Sequence, residues 1–413
     1  MLLRSLSIIA LQLVILCSLV PDVLGQKFDH FPDRDVAIIP FEMHGGLMLV
    51  NVKFAGLIPM KFIWDTGAQN VILFERFYAE VIGAEYDMRL PILGSSLISE
   101  RFALVSGNIR FGFAQLPPVY LDILVLEDNA PQLEQYLGTE VHGILGSSFF
   151  KNYILEIDYK RERILLHKYE EFNRSTLKSF EHYSLDIHKS KPYLRTSVQI
   201  TKDNSIELNL LMDTGADINL LLHANTDSTL TLPDSVVQGN LGIGLSGELL
   251  GYLGRIHRFD IGGIRYVDMI SSFQDIDSIT LTDFEVYRNG IIGNRMLKRF
   301  DVIIDYPGEQ LYLRADRKSK KAFKYDRSGL SIIALGPLLN KFEIKNVLPG
   351  SPAAEAGLKA GDQVLKLQCW PKDFYKIERI NTILKKKAGK RIRMKVRRGD
   401  QKLKFRFTLR DLI

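Results

Sequence analysis

The chain has 413 residues, 46% hydrophobic and 25% charged, which excludes a disordered or fibrous polypeptide and leaves room for two or three domains with sizeable cores. Its formal charge of +6 hints at a polyanionic partner, but much of the excess sits in one C-terminal stretch that reads as strands. With two cysteines, Cys17 and Cys369, a disulfide framework is excluded.

At the N-terminus, Arg4 precedes "SLSIIALQLVILCSLV" and the helix-breaking "PDVLG". This order reads as a secretory signal over 1–25, cut after Gly25. A retained anchor is the alternative, although the apolar run is shorter than the ~20 residues that span a bilayer. No other stretch could span one, so no stable membrane span is expected after cleavage. The expected location is outside the cytoplasm: periplasm, cell surface or medium. Nucleic acid is accordingly not an expected partner. Cys17 would leave with the signal, and Cys369 reads as an isolated thiol.

An internal repeat organises the next three hundred residues. "FIWDTGAQNVILF" (62–74) and "LLMDTGADINLLL" (210–222) share Asp-Thr-Gly-Ala at an offset of 148. "GILGSSFFKNYILEIDY" (143–159) and "GIIGNRMLKRFDVIIDY" (290–306) share seven of seventeen positions at an offset of 147. Two matches at one offset define a duplicated unit, with halves at about 36–167 and 183–314. In each half an aliphatic strand enters Asp-Thr-Gly-Ala, and hairpin-like sequence follows. An aliphatic-aliphatic-Gly element then opens a short helix, and a last strand ends in Asp-Tyr. Short runs broken by Gly, Pro and Asn make the class mainly β. The expected division is 35–170 and 191–315 for two lobes, joined by a polar linker at 171–190. A charged linker at 316–326 and a small domain at 327–413 follow.

A two-fold axis relating the halves would bring Asp65 and Asp213 together. Two carboxyls within hydrogen-bond reach cannot both ionise and share a proton. One can then take a proton from water while the other gives one to a carbonyl, with neither role fixed in advance. Thr66 and Thr214 suit a buried brace between the lobes, and Gly67 and Gly215 permit a tight turn and close approach. A single Asp-Thr-Gly would be an ordinary turn; two at the repeat offset, each between aliphatic strands, are not.

These motifs resemble the pepsin/retropepsin group of aspartic proteases over roughly 35–315. The resemblance implies a bilobal β fold, peptide hydrolysis, and a polypeptide substrate held extended under a hairpin flap by backbone pairing. It places Ile144-Leu145-Gly146 and Ile291-Ile292-Gly293 behind the catalytic loops. It assigns substrate contacts to Gln69, to Asp217 and to Gly244, Ser246 and Gly247 in a flap running from Gly242 to Gly254. Ser95–Ser106 is the corresponding segment of the first half. Apolar residues flanking the scissile bond are expected by analogy. Ala68 and Ala216 follow the retroviral branch, which removes a hydroxyl near the pair and weighs against a strongly acidic optimum. The flap lacks the tyrosine of pepsins.

"GIGLSG" (242–247) matches a dinucleotide fingerprint only formally, because no βαβ context surrounds it. His142 reads as structural, and no cofactor or metal is implied. After the linker, "VLPGSPAAEAGLKAGDQVL" resembles the PDZ signature of bacterial exported proteases. Gly329, Leu330, Ser331 and Ile332 fit that family's carboxylate-binding loop, whose amides would receive a peptide C-terminus. "FYKIERINTILKKK" would form the groove's other wall. In "RIRMKVRRGDQKLKFRFTL", Ile392, Met394 and Val396 alternate with basic residues, and Gly399-Asp400 marks the hairpin turn. Two rivals stay open: a protein that keeps the fold and binds peptides without turnover, and a latent enzyme whose C-terminal domain blocks the cleft.

Overall fold

A computed structural model describes residues 35–93, 100–114, 116–128, 132–244, 247–276, 288–316, 319–371 and 376–413. The expected signal lies outside these residues, so they do not bear on it. Among them no helix is long and apolar enough to cross a membrane. The described chain is mainly β, with two related lobes and a small α+β domain.

Each lobe is built on the same three-strand core. Strand Ile58–Trp64 runs parallel to Gly143–Leu145, and Val71–Leu73 pairs antiparallel with the other edge of that short strand. In the second lobe Ser205–Asp213 runs parallel to Gly290–Gly293, with Leu220–His223 on the other side. The short aliphatic element is thus the middle strand, which explains its lack of polar residues. Its leading glycine is dictated by crowding, since a Cβ on Gly143 or Gly290 would overlap the carbonyl oxygen of Ile72 or Leu221.

The lobes are joined by a shared sheet. The two repeated strands ending in Asp-Tyr, Ile154–Asp158 and Phe300–Asp305, pair antiparallel with each other. Glu156 faces Ile303, Leu155 faces Ile304 and Ile157 faces Val302. Glu156 and Ile303 are equivalent positions of the repeat, so the two-fold axis passes through this pair. Beneath the first loop Trp64 stacks on Phe150 at 4.5 Å between centroids, and Phe150 meets Tyr306 edge-on at 5.6 Å. Aromatic contacts of this kind tie the lobes through one continuous core.

Both expected linkers prove to be structured. Within 171–190, Glu181–Ser184 pairs with Gln310–Ala315 and Asp186–His188 pairs with Lys191–Gln199. Within 316–326, Phe323 is buried against the second lobe under the Arg299 guanidinium, 3.4 Å from the ring centroid. Polar composition concealed these pairings because the strands lie at sheet edges, where one face stays wet.

The C-terminal domain has a sheet in which Leu330–Leu335 is an edge strand, paired only with Lys341–Val347 among the described residues. Helix Pro352–Glu355 is capped by the Ser351 hydroxyl, which accepts from the Ala354 amide at 3.3 Å. Helix Ile377–Leu384 buries Ile377, Ile380, Ile383 and Leu384 in the domain core. The basic hairpin forms as the alternation requires: Arg391–Arg398 pairs with Gln401–Thr408, burying Ile392, Met394 and Val396 and leaving Arg391, Arg393 and Arg397 exposed. Cys369 is an exposed free thiol.

Candidate active site

Strand ends and turns place the two aspartates. The Asp65 amide donates to Leu145 O at 3.0 Å, fixing the loop onto the middle strand. Asp65 Oδ1 accepts from the amides of Gly67 at 2.7 Å and Ala68 at 3.0 Å, and Asp213 Oδ1 accepts from Gly215 at 2.7 Å. The two carboxyls also hydrogen-bond each other. A Cβ on Gly67 would stand 2.5 Å from Asp213 Cγ, and one on Gly215 would overlap the Asp65 carboxyl. Each glycine is therefore the floor on which the opposite aspartate rests.

The threonines cross-brace the loops. The Thr66 hydroxyl donates to Met212 O at 2.6 Å and accepts from the Thr214 amide at 3.0 Å. Reciprocally, the Thr214 hydroxyl donates to Trp64 O at 2.9 Å and accepts from the Thr66 amide at 3.0 Å. All four bonds are buried, and each spans the two lobes.

The surroundings are less symmetric than the loops. Burial, then the charge of Asp213, raises the Asp65 carboxyl well above the usual range, outweighing the amides of Gly67 and Ala68. Burial raises Asp213 too, but Arg288, the Gly215 amide and Lys191 all pull the other way. The pair therefore titrates as a unit held above the usual carboxylate range by burial, with Arg288 and Lys191 opposing that rise at Asp213. Lys191 and Arg288 escaped the reading of the sequence. The repeat offset could have pointed to Arg288, whose place in the first half is taken by Val141; Leu47 corresponds to Lys191 only through strand register, Leu49 facing Ile63 as Tyr193 faces Leu211.

The expected substrate contacts divide. Gly244 and Gly247 face each other at the tip of a hairpin between Val236–Gly244 and Gly247–Ile261; Ser246 lies outside the described residues. Along this hairpin Leu241 packs on the cluster holding Tyr193, Leu211 and Ile291 of the second lobe, and Ile243 packs on the cluster holding Leu47, Leu49 and Ile63 of the first. The hairpin thus touches the facing layers of both lobes. Gln69 is half-buried, and its carbonyl accepts from the Ser148 amide at 2.8 Å. Asp217 is committed elsewhere: its carboxylate pairs with Arg295 at 2.6 Å and Lys298 at 3.7 Å, and it packs on Gly46. Burial works against that charge, but Arg295 and Lys298 outweigh it and keep the carboxyl below the usual range. Its side chain is anchored by cations of its own lobe and packs on Gly46 of the first lobe. In the first half, the tip of the corresponding hairpin, 94–99, lies outside the described residues. His142 is structural, its Nδ1 accepting from the Lys61 amide at 3.2 Å.

At the C-terminal domain the expected carboxylate loop already holds a carboxylate. Asp326 Oδ1 accepts from the amides of Ser328, Gly329 and Leu330 at 3.0, 2.7 and 3.3 Å. Burial pushes this carboxyl up to about 6. Helix Leu133–Leu137 of the first lobe packs against the edge strand Leu330–Leu335 and against helix Ile377–Leu384. Ser331 and Ile332 lie on that edge strand, facing Asn346 and Ile344 across a bulge.

Fold and site together define a two-lobed, mainly β protein with an aspartate pair at the lobe junction. No family model and no curated protein matches the chain. Among solved structures it is similar to the crystal structure of basic 7S globulin from soybean, at 10% identity and a TM-score of 0.39, over 68% of this chain and 95% of that one.

Proposed function

We propose that the protein is an exported aspartic-type endopeptidase of the pepsin/retropepsin kind. The observation that supports this best is the pair of mutually hydrogen-bonded, cross-braced carboxyls beneath a hairpin that reaches both lobes. In this reading, Asp213 takes a proton from a water whose oxygen attacks the peptide carbonyl carbon, while Asp65 gives its proton to the carbonyl oxygen. Collapse of the tetrahedral species breaks the C–N bond as the proton held by Asp213 passes to the amine and a hydroxyl proton of the diol returns to Asp65. The test is hydrolysis of an unfolded-protein peptide library, blocked by a statine-type mimic. Cleavage that persists undiminished in Asp213→Asn protein would sink the mechanism; tight binding of the mimic without any hydrolysis would favour a peptide-binding protein.

We further propose that the C-terminal domain is a PDZ module for C-terminal peptides, held shut by the chain itself. Asp326 on the loop amides and the helix Leu133–Leu137 on the edge strand support this. Asp326→Ala should strengthen binding of a free C-terminal peptide by about tenfold. Unchanged binding, measured by fluorescence anisotropy, would count against a self-occupied groove.

A further inference from the structure

The positive charge of the chain is concentrated in its C-terminal domain. Residues 327–413 contain 21 of the 54 lysines and arginines but 7 of the 48 acids, which gives this domain +14 and leaves −8 on residues 1–326. Residues 372–375, outside the described residues, contribute one lysine and one aspartate to that count and so do not alter the balance.

Strand register gathers part of this charge on one face. Ile392, Met394 and Val396 turn into the domain core, so Arg391, Arg393, Lys395 and Arg397 line the opposite face of the same strand. Across the hairpin Arg393 stands opposite Arg406, Lys395 opposite Lys404, and Arg397 opposite Lys402. On its other side Lys395 stands opposite Lys366 of Gln363–Leu367, so three strands present one row of lysines. These side chains are exposed, except Lys395, which is half-buried. Like charges directly opposite one another destabilise a sheet. Lysines on an edge strand guard against unwanted pairing, and that use accounts for Lys402 and Lys404. It does not account for Lys366, Lys395 or Arg397, which lie on inner strands.

A second feature at the end of this sheet narrows the choice of partner. The row Glu343, Gln363, Arg397, Lys402 crosses four strands. The turn 336–340 and the turn Gly399–Asp400 both lie just beyond that row and project from the same end. Leu338, in the first of these turns, is 80% exposed. Cations beside an exposed aliphatic tip suit a lipid surface, where the tip enters the headgroup boundary and the cations meet anionic lipids. A soluble polyanion would use the charge and leave Leu338 in water. The first lobe meets this sheet through helix Leu133–Leu137 on Leu330–Leu335, the edge opposite the basic hairpin, so the face points away from that contact.

We propose that this face docks the protein on an anionic lipid bilayer, with the cations at the headgroups and Leu338 in the boundary beneath them. The proposal is independent of the endopeptidase reading.

The test is flotation of the full-length protein with vesicles of phosphatidylcholine, alone or mixed with phosphatidylglycerol. Partitioning should be about a hundredfold stronger on the anionic vesicles and should fall as salt is raised. Lys395→Gln combined with Lys404→Gln should weaken it about tenfold. Relief of repulsion should leave that variant melting no lower than the parent, which shows that it folds. Leu338→Ser should weaken anionic binding about threefold. Lys53→Gln combined with Lys202→Gln removes the same charge from exposed sites on the lobes and should change binding less than about twofold. Equal binding to neutral and anionic vesicles overturns the proposal, as does an equal loss in the Lys53 and Lys202 variant. Heparin bound more tightly than the vesicles, with Leu338→Ser having no effect on either, would assign the face to a soluble polyanion and overturn it too.

Discussion

The first and second lobes carry the same loop on the same strand end, yet they treat their aspartates differently. Asp65 accepts two backbone amides, and burial, then the charge of Asp213, raises its carboxyl well above the usual range. Asp213 accepts one amide, but Arg288 and Lys191 compensate its charge. Duplication supplies two matched carboxyls, and divergence of the walls behind them gives the two different surroundings.

The largest effect expected from breaking this comparison is on turnover. Asp65→Asn and Asp213→Asn should each lower kcat by about 10³-fold or more on any cleaved peptide, since acid and base are both needed. The same substitutions should stabilise the fold. Both carboxyls are raised in the folded state, so their contribution to stability is present below the ordinary carboxylate pKa and is lost as pH rises through the folded value. At pH 8 each variant should therefore melt about 2–4 °C above the parent by calorimetry; a lower melting temperature would contradict the assignment.

Next comes the brace. Thr66→Val or Thr214→Val removes a buried hydroxyl that both donates and accepts across the lobes, orphaning an amide and a carbonyl. A loss of about 3 kcal/mol in urea unfolding is expected for either, equal within error if the lobes are braced symmetrically. The asymmetry itself is sharpened by Arg288→Met. Removing this cation disfavours ionisation of the pair, so the acid limb of the pH–rate profile should move to higher pH. A profile that does not move would separate Arg288 from the pair.

The smallest effect concerns a contact made by the first lobe alone. His44 sits between Glu42 at 3.1 Å and Glu378 of the C-terminal domain at 3.5 Å, with Lys61 bound to the same Glu42. Glu378 leads in raising the His44 pKa, against burial and Lys61. The ion pair therefore stabilises fully below the usual histidine pKa and fades as pH rises through the raised one. His44→Ala should cost about 0.5 kcal/mol at pH 5.5 and nothing at pH 9, read as the stability of the domain contact by hydrogen exchange.

Much of this architecture could be read in the residues because it is written locally. Alternating apolar positions fix strands such as Arg391–Arg398, and a Pro-Gly turn before Ser351 announces the following helix. The offset between the two Asp-Thr-Gly-Ala segments gives the pair of aspartates, the threonines and the glycines at once. Local pattern failed where the partner was distant or the surroundings polar. The segments 171–190 and 316–326 looked like linkers because their strands and aromatic anchor bury only one face.

The sequence by itself determined the duplication, the chemistry of the paired carboxyls, and the order of strands and helices, since these follow from short motifs and periodicity. Tertiary structure alone decided how the surroundings of the two aspartates differ, which charges stand in the wall of the second lobe, and that Asp326 lies on the loop amides. The physical reason is that charge acts through space and through burial. Arg288 and Asp213 stand far apart in the chain, and only the folded lobe removes the water that would otherwise screen them.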